Sequence, residues 1–118
     1  MNPTSVVLVS RRNGKLLLVS RKNNFSDFGF IGGKVDPGED LETALRRETF
    51  EESGLGLTNI RHLVSAVENG YPIEVFTGDV IGEFNTKEKG VLKWGTWQDA
   101  FAGSFGVFNR KIYKKMNL

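Results

Sequence analysis

The sequence predicts an α/β (α+β) fold in which helices cover a mixed β-sheet on two faces. Three observations carry this. Apolar, β-branched runs flank a single strongly patterned helix on both sides. Asn-Gly pairs punctuate those runs. A second helical pattern closes the chain. Strands before and after a central helix, with a terminal helix, bury their apolar faces best as a sheet between helical layers.

The elements follow in order. Ser5 to Ser10 (SVVLVS) and Lys15 to Ser20 (KLLLVS) read as strands, and Asn13-Gly14 between them is a strong hairpin signal. Both runs are nearly continuous in apolar residues, which fits strands covered on both faces. Asn23 to Asp27 reads as polar loop. Phe28 to Ile31 is a short apolar piece that runs into Gly32-Gly33, and Asp36-Pro37-Gly38 is turn chemistry. A helix is expected from about Asp40 to Ser53, with Asp40 as N-cap and Gly54 as its C-terminal stop. Ile60 to Val67 and Ile73 to Ile81 read as strands joined across Asn69-Gly70. Glu83 to Gly90 reads as a charged loop and Val91 to Trp97 as a last strand. Gln98 to Phe101 fits one helical turn, and Asn109 to Met116 a C-terminal helix.

The composition bounds the problem. A chain of 118 residues fits one domain, residues 1–118, with one core. The formal net charge of +2 is small: it hints at an anionic ligand but does not argue for a surface that coats nucleic acid, and no duplex nucleic acid is expected as a partner. The absence of cysteine excludes disulfides, thiolate zinc sites and cysteine nucleophiles. The apolar run at the N-terminus is too short to span a membrane and lacks a signal-peptide layout, so a cytoplasmic location is the expectation.

The chemistry concentrates in the central helix. Leu41, Ala44 and Leu45 mark its inward stripe on a helical wheel. Continuing that stripe leads to Glu48 and Glu52, with Glu51 at its edge, so the buried face turns acidic halfway along. Residues three and four apart are neighbours on a helix, and three crowded carboxylates repel unless a cation sits among them. A hard divalent ion with oxygen ligands is one such partner, and Mg²⁺ is the usual one where phosphates bind. The alternatives are a solvated acidic face, or neutralisation by Arg46 and Arg47. Gly32-Gly33 just upstream offers bare backbone to a ligand or ion.

Residues Gly33 to Leu55 (GKVDPGEDLETALRRETFEESGL) resemble the Nudix box, G-x5-E-x7-R-E-U-x-E-E-x-G-U, where U is a bulky aliphatic. Gly33, Glu39, Arg47, Glu48, Glu51, Glu52, Gly54 and Leu55 fall on its positions. Thr49 departs from it, standing where the family has an aliphatic, and weaker packing is expected there. The resemblance implies an α/β/α sandwich. It also implies an enzyme that hydrolyses a nucleoside diphosphate linked to another group, using Mg²⁺ or, in its place, Mn²⁺. Glu48, Glu51 and Glu52 would hold the metal with the Gly32 carbonyl, and Arg47 and Glu39 would pair and orient the helix. The general base would be Glu48 or Glu52, or a loop glutamate, Glu83 or Glu88.

Outside the box the substrate signals thin out. Arg21 resembles a phosphate-facing residue of nucleoside-triphosphate-cleaving relatives, and Lys34 is a second candidate; a solvated strand end is the alternative for Arg21. Asn109 resembles the residue that reads a purine edge in the branch acting on 8-oxo-dGTP, and is otherwise the N-cap of its helix. Phe30, Phe76 and Phe108 are candidates for a base pocket or for the core, and Trp94 and Trp97 are read with the same caution. Tyr71 lies at a distance past the box similar to a tyrosine associated with diadenosine-polyphosphate hydrolases. His62 reads as structural. The expected substrate is a (deoxy)nucleoside triphosphate; a dinucleoside polyphosphate, a nucleotide sugar, an RNA 5′ end, or a binding module without catalysis are the alternatives. Either a monomer or a homodimer is compatible with the sequence.

Overall fold

A computed structural model of the protein describes residues 2–84 and 90–116. The chain runs β1 (Ser5–Val9), β2 (Arg11–Arg12), β3 (Lys15–Arg21), β4 (Asn24–Gly29), β5 (Ile31–Lys34), α1 (Leu41–Ser53), β6 (Gly56–Glu68), β7 (Tyr71–Ile81), β8 (Leu92–Gly95), α2 (Trp97–Ala102) and α3 (Gly106–Met116). The expected mixed sheet is present in the order β5-β1-β7-β6, with β1 parallel to β7 and the other pairs antiparallel. A second, antiparallel sheet has the order β2-β3-β4, and β8 pairs with β3.

This second sheet corrects the expected first hairpin. The two apolar runs meet only at the hairpin end, where the Leu17 N–H donates to the Ser10 carbonyl at 3.0 Å; β1 itself does not pair with β3. Asn13-Gly14 does form a tight turn, with both residues at positive φ, but it joins only Arg11–Arg12 to β3. β1 instead lies between β5 and β7. The reason is the two-sided apolar character of each run. Val6 and Leu8 pack with Ala44 and Leu45 of α1, and Val9 packs with Leu16, Leu18 and Ile112. Burying both faces of both runs takes two sheets and helices on either side.

Other boundaries move for local reasons. Asn23 to Asp27 was expected as loop, but Asn24–Gly29 is a strand paired with β3, with a bulge between Ser20 and Arg21. Its first residues are exposed, so it lacks the apolar alternation that marks a strand. Trp97 starts α2 and does not end a strand. Thr96 caps that helix, accepting from the Asp99 N–H at 3.2 Å while the Asp99 carboxylate accepts from the Thr96 N–H at 2.9 Å. α3 begins at Gly106, three residues before Asn109, so Asn109 is inside the helix and is not its N-cap.

α1 forms as its sequence requires. Asp40 Oδ1 accepts from the Thr43 N–H at 2.7 Å, and Gly54, at φ 77°, donates to the Phe50 carbonyl at 2.8 Å. The buried face comprises Ala44, Leu45, Glu48, Thr49, Glu52 and Ser53: it holds Ala44, Leu45, Glu48 and Glu52 of the stripe read from the wheel, adds Thr49 and Ser53, and leaves Leu41 and Glu51 half-buried. Its hydroxyls are satisfied within the helix: Thr49 donates to the Leu45 carbonyl at 2.7 Å and Ser53 to the Thr49 carbonyl at 2.6 Å. Among the described residues no helix is long and apolar enough to cross a membrane.

Thr49 is fully buried, so its methyl and hydroxyl both count. The Leu45 carbonyl also belongs to the backbone ladder, and losing the hydroxyl leaves no orphan acceptor. Thr49→Val should therefore stay within about 1 kcal/mol of the parent, whereas Thr49→Ala, which opens a void, should cost about 1–2 kcal/mol. Urea unfolding of the two variants measures the difference.

Candidate active site

Arg47 is the hub of the site. Its Nε donates to Glu39 Oε2 at 2.8 Å and its Nη2 to Glu39 Oε1 at 2.9 Å, a two-pronged pairing. Nη1 donates to Glu48 Oε1 at 2.8 Å and to Glu51 Oε1 at 3.2 Å. Nη2 also reaches the Lys34 carbonyl at 2.9 Å and lies 3.4 Å from the Asp36 carboxylate. One guanidinium thus ties the end of β5, the turn after it and the carboxylates of α1. Hydrogen bonds from Arg47, and one from the Asp36 N–H at 3.0 Å, hold the Glu39 carboxyl down to about 2 from its ordinary 4.5. The same partners, Glu39 first and then Glu48, raise Arg47 further above its already high value. Arg46 plays no part in this. It pairs with Glu42 at 3.0 Å and donates to the Leu57 carbonyl.

The acidic face of α1 meets the glycine pair of β5. Glu48 and Glu52 are both buried, and Glu52 Oε1 accepts from the Gly32 N–H at 3.2 Å. A Cβ on Gly33 would lie 2.3 Å from the carboxyl carbon of Glu48, so only glycine lets that carboxylate lie against the strand. Removing one partner of a buried ion pair costs about 3–5 kcal/mol, which makes Arg47 part of what keeps Glu48 tolerable inside. Every donor gathered here is a hard oxygen, carboxylate or carbonyl, a chemistry that suits Mg²⁺ or Mn²⁺. Among the described residues no three acidic or histidine side chains already form a closed cage. Two of the carboxylates are instead shared out along Arg47.

Beside this face lies a cavity of about 310 Å³, lined by Glu52, Gly32, Gly33, Arg21, Phe30 and Asn109 among others. That size falls at the low end of the roughly 300–1,000 Å³ typical of ligand pockets. Asn109 is buried, and its Nδ2 donates to the Ala100 carbonyl at 2.8 Å. Phe30 packs edge-on against Trp97, with ring centroids 5.7 Å apart. Arg21 sits at the mouth, half-exposed, 4.0 Å from the Asp27 carboxylate and with its guanidinium 5.8 Å from the Phe105 ring centroid.

The remaining sequence candidates scatter. Phe108 lines the cavity, but Phe76 is core. The exposed Lys34 does not line the cavity; it contributes its carbonyl to Arg47. Trp94 stacks with Phe84 and lies under Arg12, and Tyr71 opens β7 outside the cavity. His62 is 2.8 Å from Glu74 on the sheet surface. Glu83 is exposed, and Glu88 falls outside the described residues. Two residues at the mouth were not visible in the sequence. Asp27 falls in the stretch that reads as polar loop, and neither it nor Phe105 carries a local signal for its position.

With the geometry in place, comparison with known proteins is direct. The NUDIX domain model matches residues 1–116, and the chain belongs to the Nudix family. Over 65 residues it is 37% identical to the NAD-capped RNA hydrolase NudC of Haemophilus influenzae, a match covering 52% of this chain and 25% of that protein. The chain therefore spans about a quarter of the length of that curated relative. Among solved structures, a MutT Nudix hydrolase from Burkholderia pseudomallei superposes with a TM-score of 0.71 at 29% identity, covering 84% of this chain and 86% of that one. A Nudix hydrolase family member from Chromobacterium violaceum shares the fold, with a TM-score of 0.81 at 18% identity over 98% of this chain and 77% of that one.

Because the Glu39 carboxyl is depressed, the stability it contributes is complete above about pH 4.5 and is lost as the pH falls towards 2. Glu39→Gln should unfold at lower urea than the parent at pH 7, and the gap should close between pH 4.5 and 2. A gap independent of pH would show that the Glu39 charge does not contribute.

Proposed function

We propose that this chain is a Mg²⁺-dependent pyrophosphohydrolase that cleaves a (deoxy)nucleoside triphosphate into a monophosphate and pyrophosphate. The observation that carries the reading is the meeting of two buried glutamates of α1 with the glycine pair of β5, where Glu52 and both glycines line a ligand-sized cavity. Glu48, Glu51, Glu52 and the Gly32 carbonyl would hold the metal. When bound, the ion would offset phosphate charge and lower the pKa of the attacking water.

The chain's own residues supply the rest. Arg47 is a positioning residue: it fixes Glu48 and Glu51 relative to β5 and, through Glu39, fixes the entry to α1. Glu52, which lines the cavity, or Glu48 behind it, takes the proton from water; Glu83 and Glu88 are the loop alternatives. Arg21 at the mouth faces the anionic end of the substrate. The Ala100 carbonyl needs a donor, which fixes the Asn109 amide with Nδ2 towards it and leaves Oδ1 to accept from a base edge.

A second reading changes the substrate and not the chemistry. The similarity to an NAD-capped RNA hydrolase favours a pyrophosphate bond joining two nucleoside units, as in a dinucleotide or a capped RNA end. A panel of nucleoside triphosphates, dinucleotides and capped oligoribonucleotides, assayed with Mg²⁺ and resolved by chromatography, separates the two. Triphosphate cleavage to monophosphate and pyrophosphate is expected. Cleavage confined to the dinucleotide compounds would replace the first reading by the second.

Glu52→Gln should lower kcat by about 10²–10⁴-fold with the circular dichroism spectrum unchanged. Calorimetric titration with Mn²⁺ should show binding to the parent and strongly weakened binding to Glu48→Gln. Unchanged Mn²⁺ binding in Glu48→Gln would remove that residue from the metal site.

A further inference from the structure

The rim of the cavity is held by a carboxylate that does not line it. Asp27, in β4, is buried, and its Oδ1 accepts from the Ser104 N–H at 2.9 Å, across 77 positions of sequence. The turn that carries Ser104 is pressed against it. A Cβ on Gly103 would lie 2.3 Å from Asp27 Oδ1 and 2.9 Å from the Phe28 carbonyl, so the turn can sit this close only because position 103 has no side chain. Phe105, which follows Ser104, rests on Gly29, where an added Cβ would be 3.3 Å from its ring. The turn then leads into α3. Gly106 donates to the Gly103 carbonyl at 3.0 Å, and the Asn109 N–H donates to the Phe105 carbonyl at 2.9 Å. On its other oxygen, Asp27 lies 4.0 Å from Nε of Arg21, whose guanidinium is near the Phe105 ring. Arg21, Gly29, Phe105 and Asn109 all line the cavity.

We propose that Asp27 is the positioning residue of the cavity mouth: one carboxylate anchors both the turn bearing Phe105 and the guanidinium of Arg21, and so sets how tightly substrate is held. The inference rests on the reading that this cavity takes a nucleotide. A half-exposed arginine and a half-exposed phenylalanine are mobile groups on their own, and each would lose side-chain freedom on binding. Asp27 meets part of that cost in advance, because the turn, the ring and the cation are already tied to one rigid strand. Its effect belongs to binding. The contacts of Asp27 with Ser104, Gly103 and Arg21 do not reach Arg47 or the glutamates of α1.

The test separates binding from turnover and direct effects from transmitted ones. Steady-state kinetics with Mg²⁺ and the preferred nucleotide are paired with calorimetric Kd values for a non-hydrolysable nucleoside triphosphate analogue. Asp27→Ala should raise KM and Kd about tenfold with kcat within about twofold. In a background already carrying Arg21→Ala and Phe105→Ala, the same change should have less than about a twofold effect, because its route is gone. Asp27→Asn keeps an oxygen for Ser104 and serves where Asp27→Ala does not fold. It should raise KM and Kd about threefold in the parent and leave them unchanged beside Arg21→Ala. Unchanged Kd in Asp27→Ala, or an equal rise from Asp27→Asn with and without Arg21, would overturn the proposal. A parent that binds the analogue but hydrolyses nothing in the panel would overturn the proposed activity and leave the Kd series to decide on Asp27. A parent that binds no nucleotide would overturn both.

Discussion

The fork between Arg47 and Glu39 is the interaction on which the rest of this site depends. A helix that turns an acidic face inward has an electrostatic problem, and here a single guanidinium offsets it. Because the group is planar, with five donors in fixed directions, it can face Glu39 with two of them and still reach Glu48, Glu51 and the Lys34 carbonyl. The consequence is geometric as well as electrostatic. α1 is pinned to the end of β5, which places Glu52 against Gly32 and Glu48 against Gly33. A lysine could supply the charge but not the directions.

The second constraint is the crossing of the chain from one sheet to the other after β1. It places β1 and β5 of the mixed sheet next to β3 and β4 of the antiparallel one, and the cavity is bounded by residues of all four. α1 closes the cavity from one side with Glu52, and α3 from the other with Phe108 and Asn109. In the proposed function, chemistry and recognition therefore come from different layers. The glutamates belong to α1 and face the glycines of β5. The proposed recognition groups belong to β3, the turn into α3 and α3 itself, and Asp27 of β4 ties Arg21 to that turn.

Legibility follows the range of each interaction. The boundaries of α1 were readable because caps act within four residues, and its acidic inner face was readable because a helix repeats on the same scale. Asn109 shows where such reasoning stops. An asparagine beside a helical pattern is a reasonable cap, but the helix starts at Gly106, and a glycine there gives no signal. Strand β4 was hidden because exposed polar residues can pair their backbones as well as apolar ones do. Thr49 looked like a soft spot from its type alone. The structure shows its hydroxyl satisfied by the Leu45 carbonyl in a fully buried position.

By itself the sequence determined the central helix, its caps, the inward run of carboxylates and the glycine pair that receives them. All of these follow from spacings of a few residues, where covalent geometry leaves little choice. Only the tertiary structure decided that the two N-terminal apolar runs part into different sheets, that Lys34 contributes its carbonyl while its side chain stays outside the cavity, and that Asp27 stands behind Arg21 and Phe105. Those outcomes depend on contacts between segments far apart in the chain, such as the 77 positions that separate Asp27 from Ser104. Which partner a buried carboxylate or a two-faced strand takes is settled by packing the whole domain at once, and no local pattern encodes it.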